Sequence, residues 1–251
     1  MLDTHCHIDL YQNPTGVAQA TNKAGIGTIV VTNLPSAFER AAPHIRQFPK
    51  LRLALGLHPQ MAGEHAKESR KFAKLASETF YIGEVGLDFS PQSYRTKEAQ
   101  IASFRFVLET IQDTPKFITL HSRRAEHAVL EILAEFRRTP VVFHWFSGSL
   151  KLLNEVLEAG HYLSVNPAMI QSPNGQKIIR AIPAERLLTE TDGPFVKVGS
   201  RVALPNDVAL VEDYLTLLWS RNRVDVSEQI QSNFSRLLRQ IKGENNELIQ
   251  F

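Results

Sequence analysis

Short runs of apolar and β-branched residues recur along the chain, and between them the apolar positions fall at helical spacing. The runs at Met1–His5, Thr28–Thr32, Leu51–Gly56, Tyr81–Glu84, Phe117–His121, Val141–His144, Tyr162–Val165 and Leu187–Thr189 predict strands. The stretches between them predict helices over Val17–Ala24, Ala37–Phe48, Glu64–Glu78, Lys97–Gln112, Ala125–Phe136, Leu150–Ala159 and Gln176–Ile182. Two more, Asn206–Arg221 and Ser227–Gln240, follow the last strand.

Eight strands, each followed by a helix, within 251 residues is the count of an α/β (β/α)8 TIM barrel. An open doubly wound sheet is the alternative, but histidines occupy the first turn where such a sheet carries a glycine-rich phosphate loop. No linker, internal repeat or low-complexity tract divides the chain. A single domain over residues 1–251 is expected, with a polar tail from Lys242 that frays.

Composition adds little beyond exclusions. A net charge of +2 is too small to argue for nucleic acid binding by the whole surface, so any phosphate-binding site must be local. The single cysteine, Cys6, cannot form an internal disulfide, and no apolar run approaches the roughly 18 residues of a membrane span. No signal-like pattern opens the chain, and the expectation is a cytoplasmic protein with no membrane partner.

Chemistry collects where the strands end. The first strand delivers His5 and His7, which share one side because side chains two apart in a strand point the same way. The third delivers His58, the fourth Glu84, the fifth His121, the sixth His144, and the eighth Glu190 and Asp192. In a barrel these ends surround one mouth, where active sites are built. A lone histidine beside an apolar run is ordinarily a rim or core residue; a set at matching topological positions is hard to assemble by accident. His44, His65, His127, His161 and Asp9 lie in or beside helical stretches and read as structural. Asp3 shares the face of His5 and either orients a ligand or is structural, and Cys6 points the other way. Histidine and carboxylate donors without thiolate suit Zn2+, Mn2+, Fe, or Mg2+ with waters. The candidates outnumber what one ion needs, so two ions bridged by a carboxylate are the economical arrangement.

Several short motifs follow in order: His-Cys-His at 5–7, Gly-Leu-His-Pro at 56–59, Gly-Glu-Val-Gly-Leu-Asp at 83–88, His-Ser-Arg at 121–123, His-Trp-Phe-Ser-Gly at 144–148 and Thr-Glu-Thr-Asp-Gly-Pro at 189–194. Together they resemble the TatD family of metal-dependent deoxyribonucleases, amidohydrolase-like TIM barrels, from residue 1 to about Leu238. The resemblance implies hydrolysis of DNA, often from the 3′ end of single strands, by a metal-bridged hydroxide. It implies two divalent ions (Mg2+, Mn2+ or Zn2+): His5, His7 and Asp192 hold one, His121 and His144 the other, and Glu84 bridges. Asp192 doubles as base, and His58 and Glu190 match positions that touch substrate or a third ion.

Arg123 and Arg124, just after His121, are candidates for substrate phosphate, as are the Ser147–Ser149 amides at a helix start. Trp145, Phe146 and Phe89 either stack bases or pack the rim. The chain departs from common family members at Gln60, where a histidine often stands, at Ser164–Met169, which lacks the usual glycine, and over Phe195–Asp207, which lacks an Asn-Glu-Pro. His-Trp-Phe-Ser-Gly-Ser, Val-Asn-Pro-Ala-Met and Thr-Glu-Thr-Asp-Gly-Pro-Phe look most like the TatD-like component of bacterial Qat anti-phage clusters. That likeness implies a defence role beside an ATPase and other cluster proteins. The alternatives are hydrolysis of an ester or amide on the same barrel, or a metal-stabilised subunit that binds partners.

Overall fold

A computed structural model describes residues 1–136 and 139–243; of the tail expected to fray from Lys242, Lys242 closes the last helix, Gly243 follows it, and the rest lies outside the described residues. Eight parallel strands form one closed ring: β1 (Leu2–Cys6), β2 (Gly27–Val30), β3 (Leu51–Leu53), β4 (Tyr81–Gly86), β5 (Phe117–His121), β6 (Val142–His144), β7 (Tyr162–Val165) and β8 (Leu187–Thr189). Two joints close it. Leu55 pairs in parallel with Ile82 between β3 and β4, with Leu55 N donating to Tyr81 O at 2.9 Å. Between β8 and β1, Thr4 Oγ1 donates to Thr189 O at 3.0 Å and Thr189 Oγ1 to Leu2 O at 2.5 Å. The barrel expected from the strand count is the fold found.

Ten helices are described around it: α1 (Pro14–Lys23), α2 (Pro35–Ile45), α3 (His65–Leu75), α4 (Lys97–Ile111), α5 (Glu126–Glu135), α6 (Leu150–Glu158), α7 (Pro167–Gln171), α8 (Pro173–Ala181), α9 (Val208–Trp219) and α10 (Arg223–Lys242). The strands are buried on both faces, which is why they read as continuous apolar runs and not as alternating ones. The helices cover them by one face each. In α10 the buried positions Val226, Ile230, Phe234, Leu237 and Ile241 recur every three or four residues, and Asn222 caps the start by accepting from Asp225 N. One polar residue breaks that stripe: Asn233 donates to Ala184 O and Leu187 O, both at 2.7 Å, and pins α10 to the start of β8.

Two elements were not expected. Asn166 and Pro167 start the short α7, with the Asn166 side chain accepting from Ala168 N and Met169 N. A small hairpin, β9 (Lys197–Val198) and β10 (Arg201–Val202), occupies the loop after β8.

Candidate metal centre at the mouth of the barrel

The carboxylate of Glu84 stands at the middle of the mouth, at the end of β4, and its two oxygens divide the histidines between them. Oε1 lies 2.6 Å from His121 Nδ1 and 2.9 Å from His144 Nε2. Oε2 lies 3.1 Å from His7 Nε2, 3.1 Å from His58 Nε2 and 3.4 Å from His5 Nε2. Asp192 Oδ1 completes the second side, 3.8 Å from His5 Nε2 and 3.7 Å from His7 Nε2. The six residues expected to hold the two ions, with His58, are therefore brought to one point, and Glu84, Asp192 and all five histidines except His121 are buried.

Local backbone explains how such short strand ends converge. Asp192 sits in the left-handed region (φ 48) and is held there by its N–H to His5 O at 2.9 Å and by Phe195 N donating to its carbonyl at 2.9 Å. Gly193 follows because a Cβ there would meet the Tyr11 hydroxyl at 1.9 Å. Gly86 (φ 125) lets β4 run against β5, since a Cβ would stand 2.1 Å from His121 O. Asp3 is structural: its carboxylate accepts from His5 N, Thr191 N and Thr191 Oγ1, tying β1 to the loop that carries Asp192, and burial pushes its carboxyl up to about 8.

The electrostatics are those of a site short of positive charge. Burial pushes the Asp192 carboxyl well up; His144 opposes this, and the carboxylates of Glu84, Glu190 and Asp3 add to it. Burial acts the same way on Glu84, but His58, His144 and His121 outweigh it and hold that carboxyl well down. Burial and the nearby His144 lower His5 to about 3, leaving a neutral imidazole. His5 Nε2 is buried and makes no hydrogen bond, while its Nδ1 rests 2.8 Å from Thr119 Oγ1. His5, His7 and Glu84 present ligand atoms within 4.8 Å of one another, as do His5, His144 and Asp192, and His58, Glu84 and His121. With Cys6 turned to Gly193 O, the donors are nitrogen and oxygen only, a set that fits Zn2+, Mn2+, Fe or Mg2+.

Two residues behind the ligands were missed. Asp88, last residue of the Gly-Glu-Val-Gly-Leu-Asp run, accepts from His121 Nε2 at 3.0 Å and from Gln60 Nε2 at 2.7 Å. Phe195, 55% exposed, stands edge-on to His7 with ring centroids 5.0 Å apart. A cavity of about 420 Å3 opens over the centre, lined among others by His58, Gln60, Arg123, Trp145, Asp192 and Phe195.

Other expected contacts fall elsewhere. Glu190 is fully buried and faces inward: Oε1 accepts from Trp145 N and Asn166 Nδ2, both at 3.0 Å, and Oε2 takes the Ser164 hydroxyl. It stands behind His144, 3.6 Å from Nδ1, and does not line the cavity. Arg124 is absent from the lining, whereas Arg123 belongs to it. Phe146 is buried against Phe143, and Phe89 packs on Tyr94 and Lys97, so rim packing is the reading that holds for both. The Ser147–Ser149 turn already carries a carboxyl, because Glu126 bonds Ser147 and lies against Gly148; this disfavours an anion there.

The family model for TatD related DNase matches residues 2–239. An uncharacterized metal-dependent hydrolase of Escherichia coli, YjjV, is 30% identical over 82% of this chain and 83% of its own. A crystal structure of YjjV superposes with a TM-score of 0.85 at 25% identity, covering 94% of this chain and 97% of that one. The human deoxyribonuclease TATDN3 is 24% identical over 96% of both chains. On the match of nearly its whole length, this chain belongs to the TatD-related DNase family.

Proposed function

We propose that this metal-dependent hydrolase of the TatD family cleaves phosphodiester bonds of DNA, taking single strands from the 3′ end. The observation that carries the reading is the division of histidines across Glu84: His121 and His144 at Oε1, and His5 and His7 with Asp192 at Oε2. Two divalent ions fit that division, with Glu84 shared between them and His58 adjoining the second group. Bound there, the ions would lower the pKa of water at the site and offset the charge of the phosphate.

The chain's own residues supply the rest. Asp192 takes the proton of the attacking water as its oxygen bonds phosphorus, the bond to the 3′-oxygen of the remaining strand breaks, and that oxygen takes a proton from solvent. Burial and the neighbouring carboxylates push the Asp192 carboxyl up, and a bound cation would offset that push and leave it ionised to accept the proton. Arg123 at the cavity wall pairs with a phosphate oxygen, and Trp145 and Phe195 offer exposed rings to bases. Glu190 and Asp88 hold His144 and His121 from behind and touch no substrate.

The test is a gel assay on 5′-labelled single-stranded DNA with Mg2+, Mn2+ or EDTA, run beside Glu84→Ala. A metal-dependent ladder that the variant cannot make supports the reading and reports its direction. No cleavage by metal-loaded protein would move the weight to an ester or amide substrate.

A further inference from the structure

A second cavity lies beside the metal centre, between α1 and α2, and at about 560 Å3 it is the larger of the two. Its walls are apolar, with Ala18 and Ile45 buried and Leu34, Ala41 and Met61 around them. Thr15, His44 and Arg40 also line it, and two further polar atoms in the lining lack partners. Asp9 Oδ1 and Asn33 Oδ1 are both buried and have no hydrogen-bond partner among the described residues. A buried acceptor left unpaired is costly, and two on one cavity mark the place of a ligand's donors. The cationic wall is Arg40, exposed and without an ion pair or hydrogen bond among the described residues.

The two cavities share a partition. Asp9 follows two residues after His7, Asn33 O accepts from His58 N at 2.9 Å, and the turn after His58 puts Gln60 in one cavity and Met61 in the other. A strand crossing that turn leaves the metal centre and meets the second cavity next.

We propose that this cavity binds one nucleotide, its base between the apolar walls with an exocyclic amine donating to Asp9 and Asn33, and its phosphate on Arg40. The inference rests on the nuclease reading and extends it to the nucleotide neighbouring the one cleaved. Cytosine, adenine and guanine carry an exocyclic amine with two hydrogens; thymine carries two carbonyls and a single ring N–H, which can pair only one of the two acceptors. A bare metal ion is the poorer fit, because Asp9 is the only carboxylate in a lining that also carries the Arg40 cation.

The test titrates metal-loaded protein with dCMP and dTMP by calorimetry. Phosphate binding at the metal centre is common to both, so the difference between them reads the base. dCMP should bind roughly tenfold tighter than dTMP or better. Asp9→Asn, which turns an acceptor into an acceptor and a donor, should abolish or invert that ratio. Ala41→Phe, which fills the cavity away from the histidines, should weaken dCMP at least about tenfold with metal content unchanged. Equal affinities for the two nucleotides, or full dCMP affinity in Ala41→Phe, would overturn the proposal. Cleavage of oligo-dC and oligo-dT separates the sources. If DNA is cleaved with a preference that Ala41→Phe removes, the ligand is the strand itself. If no DNA is cleaved while the dCMP preference stands, the nuclease reading falls and the cavity is a site for free nucleotide.

Discussion

Asp88 Oδ2 lies 3.0 Å from His121 Nε2, across the ring from the Nδ1 that faces Glu84. With Nε2–H donating to Asp88, the lone pair of His121 is left on Nδ1, where an ion would need it. Asp88 is itself fixed: Oδ1 accepts from Ser90 N, and Oδ2 also accepts from Gln60 Nε2. All of its neighbours are donors, so an asparagine must turn its NH2 toward at least one of them. Asp88→Asn should weaken binding of one ion by about 10–100-fold without unfolding the protein. A competition titration with a chelating indicator reads this directly, and two sites of undiminished affinity would remove Asp88 from the centre.

Among the described residues, Glu84 is the only carboxylate hydrogen-bonded to histidines of both groups. Its loss strands buried nitrogens on both sides at once. Glu84→Ala should lower bound metal and activity together, measured by elemental analysis alongside the gel assay. Normal metal content in that variant would contradict a bridging role.

Asp192 differs in having few partners: its nearest ring nitrogens are 3.7 and 3.8 Å away, leaving the carboxylate free to take a proton. Asp192→Asn keeps the shape and an oxygen donor but removes the basicity. The expected loss is about 10²–10⁴-fold in kcat, greater than any loss of metal occupancy. Near-normal turnover at full occupancy would show that another group accepts the proton.

The ring of strands was legible because each is buried on both faces, and β5, β7 and β8 begin and end where the apolar runs do. The gathering of the candidate ligands was legible because strand ends converge in this fold. What escaped depends on partners far apart in the chain. Asp88 acquires its meaning only from His121 and Gln60, and nothing in its own spacing says so. Glu190 ends a strand like the candidate ligands, yet Ser164, Asn166 and Trp145 N, supplied by β7 and by the loops after β6 and β7, turn it inward. The helix at Pro167 carried a readable signal, an asparagine cap before proline, that the short run of residues masked.

His161 provides a pH test at the opposite end of the barrel from the candidate metal centre. It precedes β7, is 6% exposed, and accepts from Val141 N through Nδ1 at 3.3 Å, which requires that nitrogen to be unprotonated. Burial, with Arg186 nearby, lowers it from 6.5 to about 4. The unfolded chain therefore takes up a proton below about pH 6.5 that the folded chain refuses until about pH 4. Stability from this residue is complete above pH 6.5 and drains away as pH falls through that window, amounting to roughly 2 kcal/mol between pH 7.5 and 5. His161→Asn keeps an acceptor for Val141 N but cannot titrate. Its urea midpoint should fall less than that of the unsubstituted protein over the same pH range. Equal falls in the two proteins would mean that His161 is protonated as readily folded as unfolded.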